Sequence, residues 1–141
     1  MSYKRYDIHQ HEMGYTNIQG KVKMDTHEIE LTGLHEYVTV YIPSTQAKDQ
    51  VISNEEYTSR IDYTAGLLSA LFGGATLLPS VGYWKDQRGN VIKENITQIK
   101  AYTRHLTDDN LTKVIAHANE LKARYEQEAI SIEINNTLLF I

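Results

Sequence analysis

The chain has 141 residues, 41% hydrophobic and 23% charged, with a net charge of −4 and no cysteine. That length buries one core unaided, while the missing thiols exclude disulfides, cysteine catalysis and cysteine-based zinc sites and fit a cytoplasmic chain. No apolar run approaches the roughly 20 residues of a membrane span, the first ten residues lack the apolar stretch of a secretory signal, and scattered Lys and Arg under a negative net charge argue against nucleic-acid binding.

Residues 1–16 read as a polar arm or an added edge segment. Within it, His9-Gln10-His11-Glu12 puts two imidazoles on one side of an extended segment, but no third ligand follows at diagnostic spacing. Neither a metal nor a cofactor is therefore expected. Residues 17–35 alternate in two short runs, Ile18 to Met24 and Glu28 to Leu31, and predict a hairpin. The run Glu36 to Ile42 is β-branched or aromatic at every central position and predicts a strand that Pro43 ends. Ser44 to Val51 reads as a loop.

Ser53 followed three residues later by Glu56 is a capping box, and it opens a helix. Tyr57, Ile61, Ala65, Leu68 and Phe72 form its buried stripe, and Gly73-Gly74 stops it where positive φ is needed. Ala75 to Trp84 is extended, with Pro79 confining it to a sheet edge or a break. The polar loop Lys85 to Asn90 turns a hairpin, and Val91 to Thr103 returns as a longer strand. Ile96 and Ile99 have opposite parity there, which predicts a bulge or a strand covered on both faces.

Thr107 caps a second helix with Asp108 and Asp109 in its first turn, and Leu111, Val114, Ile115, Ala118, Leu121 and Tyr125 make its stripe. Ala129 to Ile134 alternates strictly, Asn135-Asn136 turns the chain, and the apolar tail from Thr137 docks. From Glu36 onward the order is strand, helix, strand, strand, helix, strand. That is an α+β, ferredoxin-like βαββαβ plait over 36–141, with the first and third strands central and the Pro79 strand at an edge.

Three short motifs fall inside the plait: Phe72-Gly73-Gly74-Ala75-Thr76, Gly82-Tyr83-Trp84, and the Gly89 turn followed by Glu94. On these the chain resembles a family of small, uncharacterised bacterial proteins with a domain of unknown function, over roughly Tyr37 to Ile134. The resemblance implies the plait and brings no assigned chemistry.

Ten tyrosines against two phenylalanines is the unusual feature of the composition. Two helices on one sheet face send Tyr37, Thr39 and Tyr41 to the other, with Gln98, Lys100, Tyr102, Ser131 and Glu133. An amphipathic aromatic face of this kind calls for a cover. A second copy of the chain, the N-terminal hairpin, or a small ligand of nucleotide-like or aromatic character would each serve. The expected unit is a homo-oligomeric binding module whose ligand-binding candidates are Tyr37, Tyr41, Trp84, Tyr102, Arg104 and His105. Arg104 and His105 are candidates because they precede a helix N-terminus, a natural anion site. The alternative is a small cofactor-independent enzyme, of isomerase or oxygenase type. It would use His105 or His117 as acid–base and Arg104 or Arg88 as anion clamp. Separately, Asp86 and Glu94 sit on opposite arms of the hairpin, where a carboxylate pair is imaginable.

Overall fold

The computed structural model describes residues 14–16, 21–24, 29–47 and 49–141, with side chains from residue 33 onward. The chain divides into two units, Met1–His35 and Glu36–Ile141. In the first, β1 (Gly14–Thr16), β2 (Lys21–Met24) and β3 (Ile29–Thr32) form a three-stranded antiparallel sheet in the order β1-β2-β3. The paired His9 and His11 lie outside the described residues, as does most of the expected arm.

The second unit holds β4 (Glu36–Pro43), a two-residue ladder of β5 (Thr45–Gln46) and β6 (Gln50–Val51), α1 (Asn54–Phe72), β7 (Thr76–Lys85), β8 (Val91–Thr103), α2 (Asp108–Arg124), β9 (Ser131–Ile134) and β10 (Thr137–Phe140). Its main sheet runs β10-β9-β4-β8-β7, antiparallel throughout. Without β10 this is the order of a ferredoxin-like plait, with β4 and β8 central and β7 at the edge. The Pro79 strand is thus where a missing N–H is tolerated. The apolar tail adds β10 as a fifth strand, closed by reciprocal backbone bonds between Ile130 and Ile141.

Local signals set the helix ends. Ser53 caps α1 by accepting from the Glu56 N–H, and Thr107 caps α2 by accepting from the Asn110 N–H. Gly73 ends α1 with φ of 91°, and its N–H returns to the Ser69 carbonyl. Gly74 has no positive φ, so one glycine, not two, does the conformational work. The β7–β8 register is unbroken from Thr76↔Lys100 to Lys85↔Val91. Of the two alternatives the parity left open, the bulge is absent: Ile99 faces the helices and Ile96 faces the other way, so β8 carries apolar groups on both sides.

Val38, Val40, Ile42, Ile99, Ala101, Ile130 and Ile132 from the sheet meet Leu68 of α1 and Val114, Ala118 and Leu121 of α2 in one buried cluster. Each large member contributes about 1.5–3 kcal/mol by leaving water. Because alternate strand residues face opposite ways, both helices lie on the face that carries Val38 and Val40. Within this unit no helix lies on the second face. Among the described residues no helix is long and apolar enough to cross a membrane.

Candidate ligand-binding face

At one end of the second face, strand alternation groups Tyr37, Thr39 and Tyr41 with Tyr102, Lys100 and Gln98 of β8 and Glu133 of β9. The Tyr37 and Tyr102 rings lie 5.8 Å apart at 57°, a tilted aromatic pair. The Lys100 ammonium sits 4.0 Å from the centre of the Tyr37 ring and 5.0 Å from that of Tyr102, within cation–π range. Glu133 accepts from the Tyr37 hydroxyl at 2.7 Å and from the Tyr41 hydroxyl at 3.3 Å. That bond, followed by desolvation and the Glu133 charge, pushes the Tyr37 hydroxyl up to about 12. Burial and then Glu133 raise Tyr41 as well. Both phenols stay protonated near neutral pH, so neither serves as a base. At the tyrosine end the Glu133 carboxylate, the Tyr37 and Tyr41 hydroxyls and the Lys100 ammonium already have partners.

Arg104 and His105 follow directly on the end of β8. His105 is 79% exposed and lies 3.3 Å from the Glu36 carboxylate. Glu36 also accepts from the Leu106 N–H at 3.1 Å. The anion position expected before α2 is thus taken by the chain's own Glu36, and Asp108 and Asp109 add negative charge in the first turn. Arg104 is exposed.

Trp84 shares the face with the tyrosines but not their neighbourhood. It pairs with Ile92, ten residues before Tyr102 on β8, which is roughly 33 Å along a strand at about 3.3 Å per residue. Here the β7–β8 ribbon has a different character. Gly82 stands opposite Glu94 and Ser80 opposite Ile96, on the same side as Trp84. A Cβ on Gly82 would lie 3.3 Å from the Ile96 side chain and 3.9 Å from the Glu94 carbonyl oxygen, so the missing side chain makes room for Ile96 across the ribbon. The Glu94 carboxylate is half-buried and accepts from the Thr45 hydroxyl at 3.0 Å. Trp84 stays 41% exposed, so the burial that a lone indole between apolar strands leads one to expect is incomplete in the single chain.

The opposite side of the ribbon presents Val81, Tyr83 and Val91, with Tyr83 and Val91 about two-thirds exposed at 66% and 67%. A cleft of about 440 Å³ opens nearby between the start of α1 and the ribbon, lined by Tyr57, Pro79, Val81, Asn95, Ile96 and Thr97. The Tyr57 and Thr97 hydroxyls share a hydrogen bond of 2.6 Å. Burial raises the Tyr57 hydroxyl, with the Glu94 charge adding to it and the Thr97 bond and Arg60 opposing. Asp86 is occupied elsewhere. It accepts from the Arg88 and Asn90 N–H groups at 2.9 and 2.8 Å and shapes the turn, so it makes no carboxylate pair with Glu94.

His117 lies 5% exposed and shares a 2.9 Å hydrogen bond with Thr64 of α1. Desolvation lowers its affinity for a proton. It joins the two helices rather than facing either end of the open sheet surface. Two buried polar side chains of α1 escaped the sequence reading, Arg60 at 1% and Thr64 at 0% exposure. Their only sequence signal is position: each sits beside a stripe residue, Ile61 or Ala65, on the inward side of the helix.

The fold defines an α+β, ferredoxin-like protein, and comparison with known proteins agrees. No family model matches the sequence, and no curated protein matches it. Among solved structures, the chain is similar to a phage SAM lyase in complex with S-methyl-5'-thioadenosine, with a TM-score of 0.56 and 19% identity over 77% of this chain and 91% of that one. A phage SAM lyase in its apo state gives a TM-score of 0.53 and 18% identity over 77% of this chain and 89% of that one. At this identity the likeness is one of fold.

Proposed function

We propose that the protein is a homo-oligomeric binding module for a small adenosine-bearing thioether or sulfonium, of the S-methyl-5'-thioadenosine class, held at the hairpin end of the open sheet face. The observation that carries this reading is the Glu94 carboxylate, fixed by Thr45 across from a glycine and flanked by the exposed Trp84. An indole offers a π-face on which a purine stacks. A half-buried carboxylate accepts from ribose hydroxyls or an exocyclic amine, or balances a sulfonium charge. The solved neighbour with S-methyl-5'-thioadenosine supports the ligand class. Gly82, Trp84 and Glu94 also fall within the motifs that carry the resemblance to the bacterial family; that resemblance assigns no ligand, and membership of the family is part of the proposal.

Self-association belongs to the same reading. Leu77, Leu78, Val81, Tyr83, Trp84 and Val91 place large apolar groups in water on both sides of one ribbon. At roughly 100 Å² apiece such a set reaches the size of surface that partners usually cover. A second copy would wall in the ligand as it covers the ribbon.

A second reading is that the module also cleaves SAM. Glu94 favours it: a carboxylate beside the sulfonium would take the proton from the carbon next to the one bearing sulfur. The carbon–sulfur bond then breaks to an alkene and S-methyl-5'-thioadenosine. Titration calorimetry with S-methyl-5'-thioadenosine tests the binding, and incubation with SAM followed by chromatography tests the cleavage. Dissociation constants below about 1 mM for the thioether or SAM, and weaker for adenine-free thioethers, are expected. No heat with either compound at that concentration overturns the proposal.

A further inference from the structure

Arg60 is the largest fully buried side chain among the described residues, and a buried guanidinium survives only with its donors placed. Its plane lies 3.9 Å from the centre of the Tyr125 ring, and its Nε donates to Glu56 one helical turn back at 3.3 Å. Nη1 donates to two backbone carbonyls where the chain leaves β4, Pro43 at 3.0 Å and Thr45 at 2.8 Å. Nη2 is buried with no protein partner among the described residues. The Thr45 carbonyl takes a second donor, the Gln127 side-chain amide at 2.9 Å, and Gln127 is itself tied to the Tyr125 carbonyl. So the Thr45 backbone is held from α1 and from the end of α2 at once. The one side-chain group of Thr45 that remains is its hydroxyl, and it donates to Glu94.

We infer that Arg60 is a positioning residue for Glu94, acting through the Thr45 backbone to fix where the carboxylate points. A simple fold-stabilising role would need any cation of that length. The observed geometry needs one nitrogen, Nη1, on the Pro43 and Thr45 carbonyls and another, Nε, on Glu56 while the guanidinium carbon lies over the Tyr125 ring, a spread of donors that guanidinium provides and the single nitrogen of an ammonium does not. Arg60 contacts no ligand in this scheme. The inference takes its functional meaning from the binding role proposed for Glu94, but its structural core stands without that role.

The test uses the full chain with glutamate labelled at the side-chain carboxyl, comparing wild type, Arg60→Lys, Thr45→Val and Glu94→Gln by NMR and by calorimetry with S-methyl-5'-thioadenosine. The expected result is that Arg60→Lys and Thr45→Val each move the Glu94 carboxyl resonance. Each should weaken the probe by about tenfold, in line with one charge-assisted hydrogen bond. In a Glu94→Gln background, Arg60→Lys should weaken it no further. Thr45→Val removes the hydroxyl and leaves the carbonyl contacts of Arg60 in place, so it marks the shift that loss of the Thr45 bond produces. Arg60→Gln, which keeps a planar end without the charge, repeats the Arg60 test if Arg60→Lys does not fold. A Glu94 resonance that stays put in the Arg60 variants overturns the inference even if melting temperature falls. A resonance that moves in a wild type blind to the probe upholds the positioning and removes the proposed function alone.

Discussion

The two ends of one sheet face have nearly the same residue types and opposite states. At the tyrosine end, Glu133 is engaged by Tyr37 and Tyr41, and Lys100 is stacked on two rings. At the hairpin end, Glu94 has Thr45 on one side, a glycine across from it and an exposed indole beyond. Aromatic density alone therefore does not mark a binding site. A polar group spent on its own neighbours stabilises the fold, while one held by a single bond beside uncovered aromatic surface is available to a ligand.

The largest effect should come from breaking the hairpin end. Glu94→Gln or Trp84→Ala is expected to weaken S-methyl-5'-thioadenosine by tenfold to a hundredfold, about 1.4–2.8 kcal/mol, whereas Tyr102→Ala should change it less than threefold. Calorimetry on the three variants decides, and equal losses would erase the distinction between the ends. Next in size is self-association. Tyr83→Lys places a charge in the exposed ribbon and should yield monomer in sedimentation at micromolar concentration. Tyr41→Asp should instead lower the urea midpoint, because it sets a second carboxylate against Glu133.

A pH experiment sharpens the contrast from the tyrosine side. The Tyr37 hydroxyl is raised in the folded state, so its contribution to stability is complete below pH 10 and is lost as pH rises from 10 towards about 12. Ultraviolet titration should find several tyrosines ionising late, Tyr37 and Tyr41 among them, and Glu133→Gln should bring these two back down. His117 has the opposite sign. Its folded affinity for protons is lowered, so stability falls as pH drops below about 6.5, and His117→Gln should flatten that acid limb in urea unfolding. The smallest effect is expected from Gly82→Ala. The new Cβ meets the end of the Ile96 side chain, which can yield, so stability should change by less than ~1 kcal/mol. Urea unfolding of the variant checks it.

The order of elements was legible in the sequence because its signals are local. Ser53 and Thr107 bond to groups three residues away, and Gly73 takes a φ that side chains resist. The polar Lys85–Asn90 loop reverses the chain through Asp86. Alternation in Glu36–Ile42 separated the core face from the tyrosine face before any contact was known. What local pattern misjudged is equally physical. Opposite parity at Ile96 and Ile99 fitted a bulge or a strand with apolar groups on both faces, and only the pairing with β7, in regular register, separates the two. The burial of Arg60 on α1 could not be read from an arginine one place from the stripe. It follows from carbonyls at Pro43 and Thr45 and a ring at Tyr125, all brought there by the packing. Likewise Tyr37 and Glu133, which are 96 positions apart, meet only because β9 pairs with β4. The sequence alone determined which face each side chain would take, since strand and helix periods act over a few residues. Tertiary structure decided which polar groups on that face find partners and which remain open, because those bonds close across the whole chain.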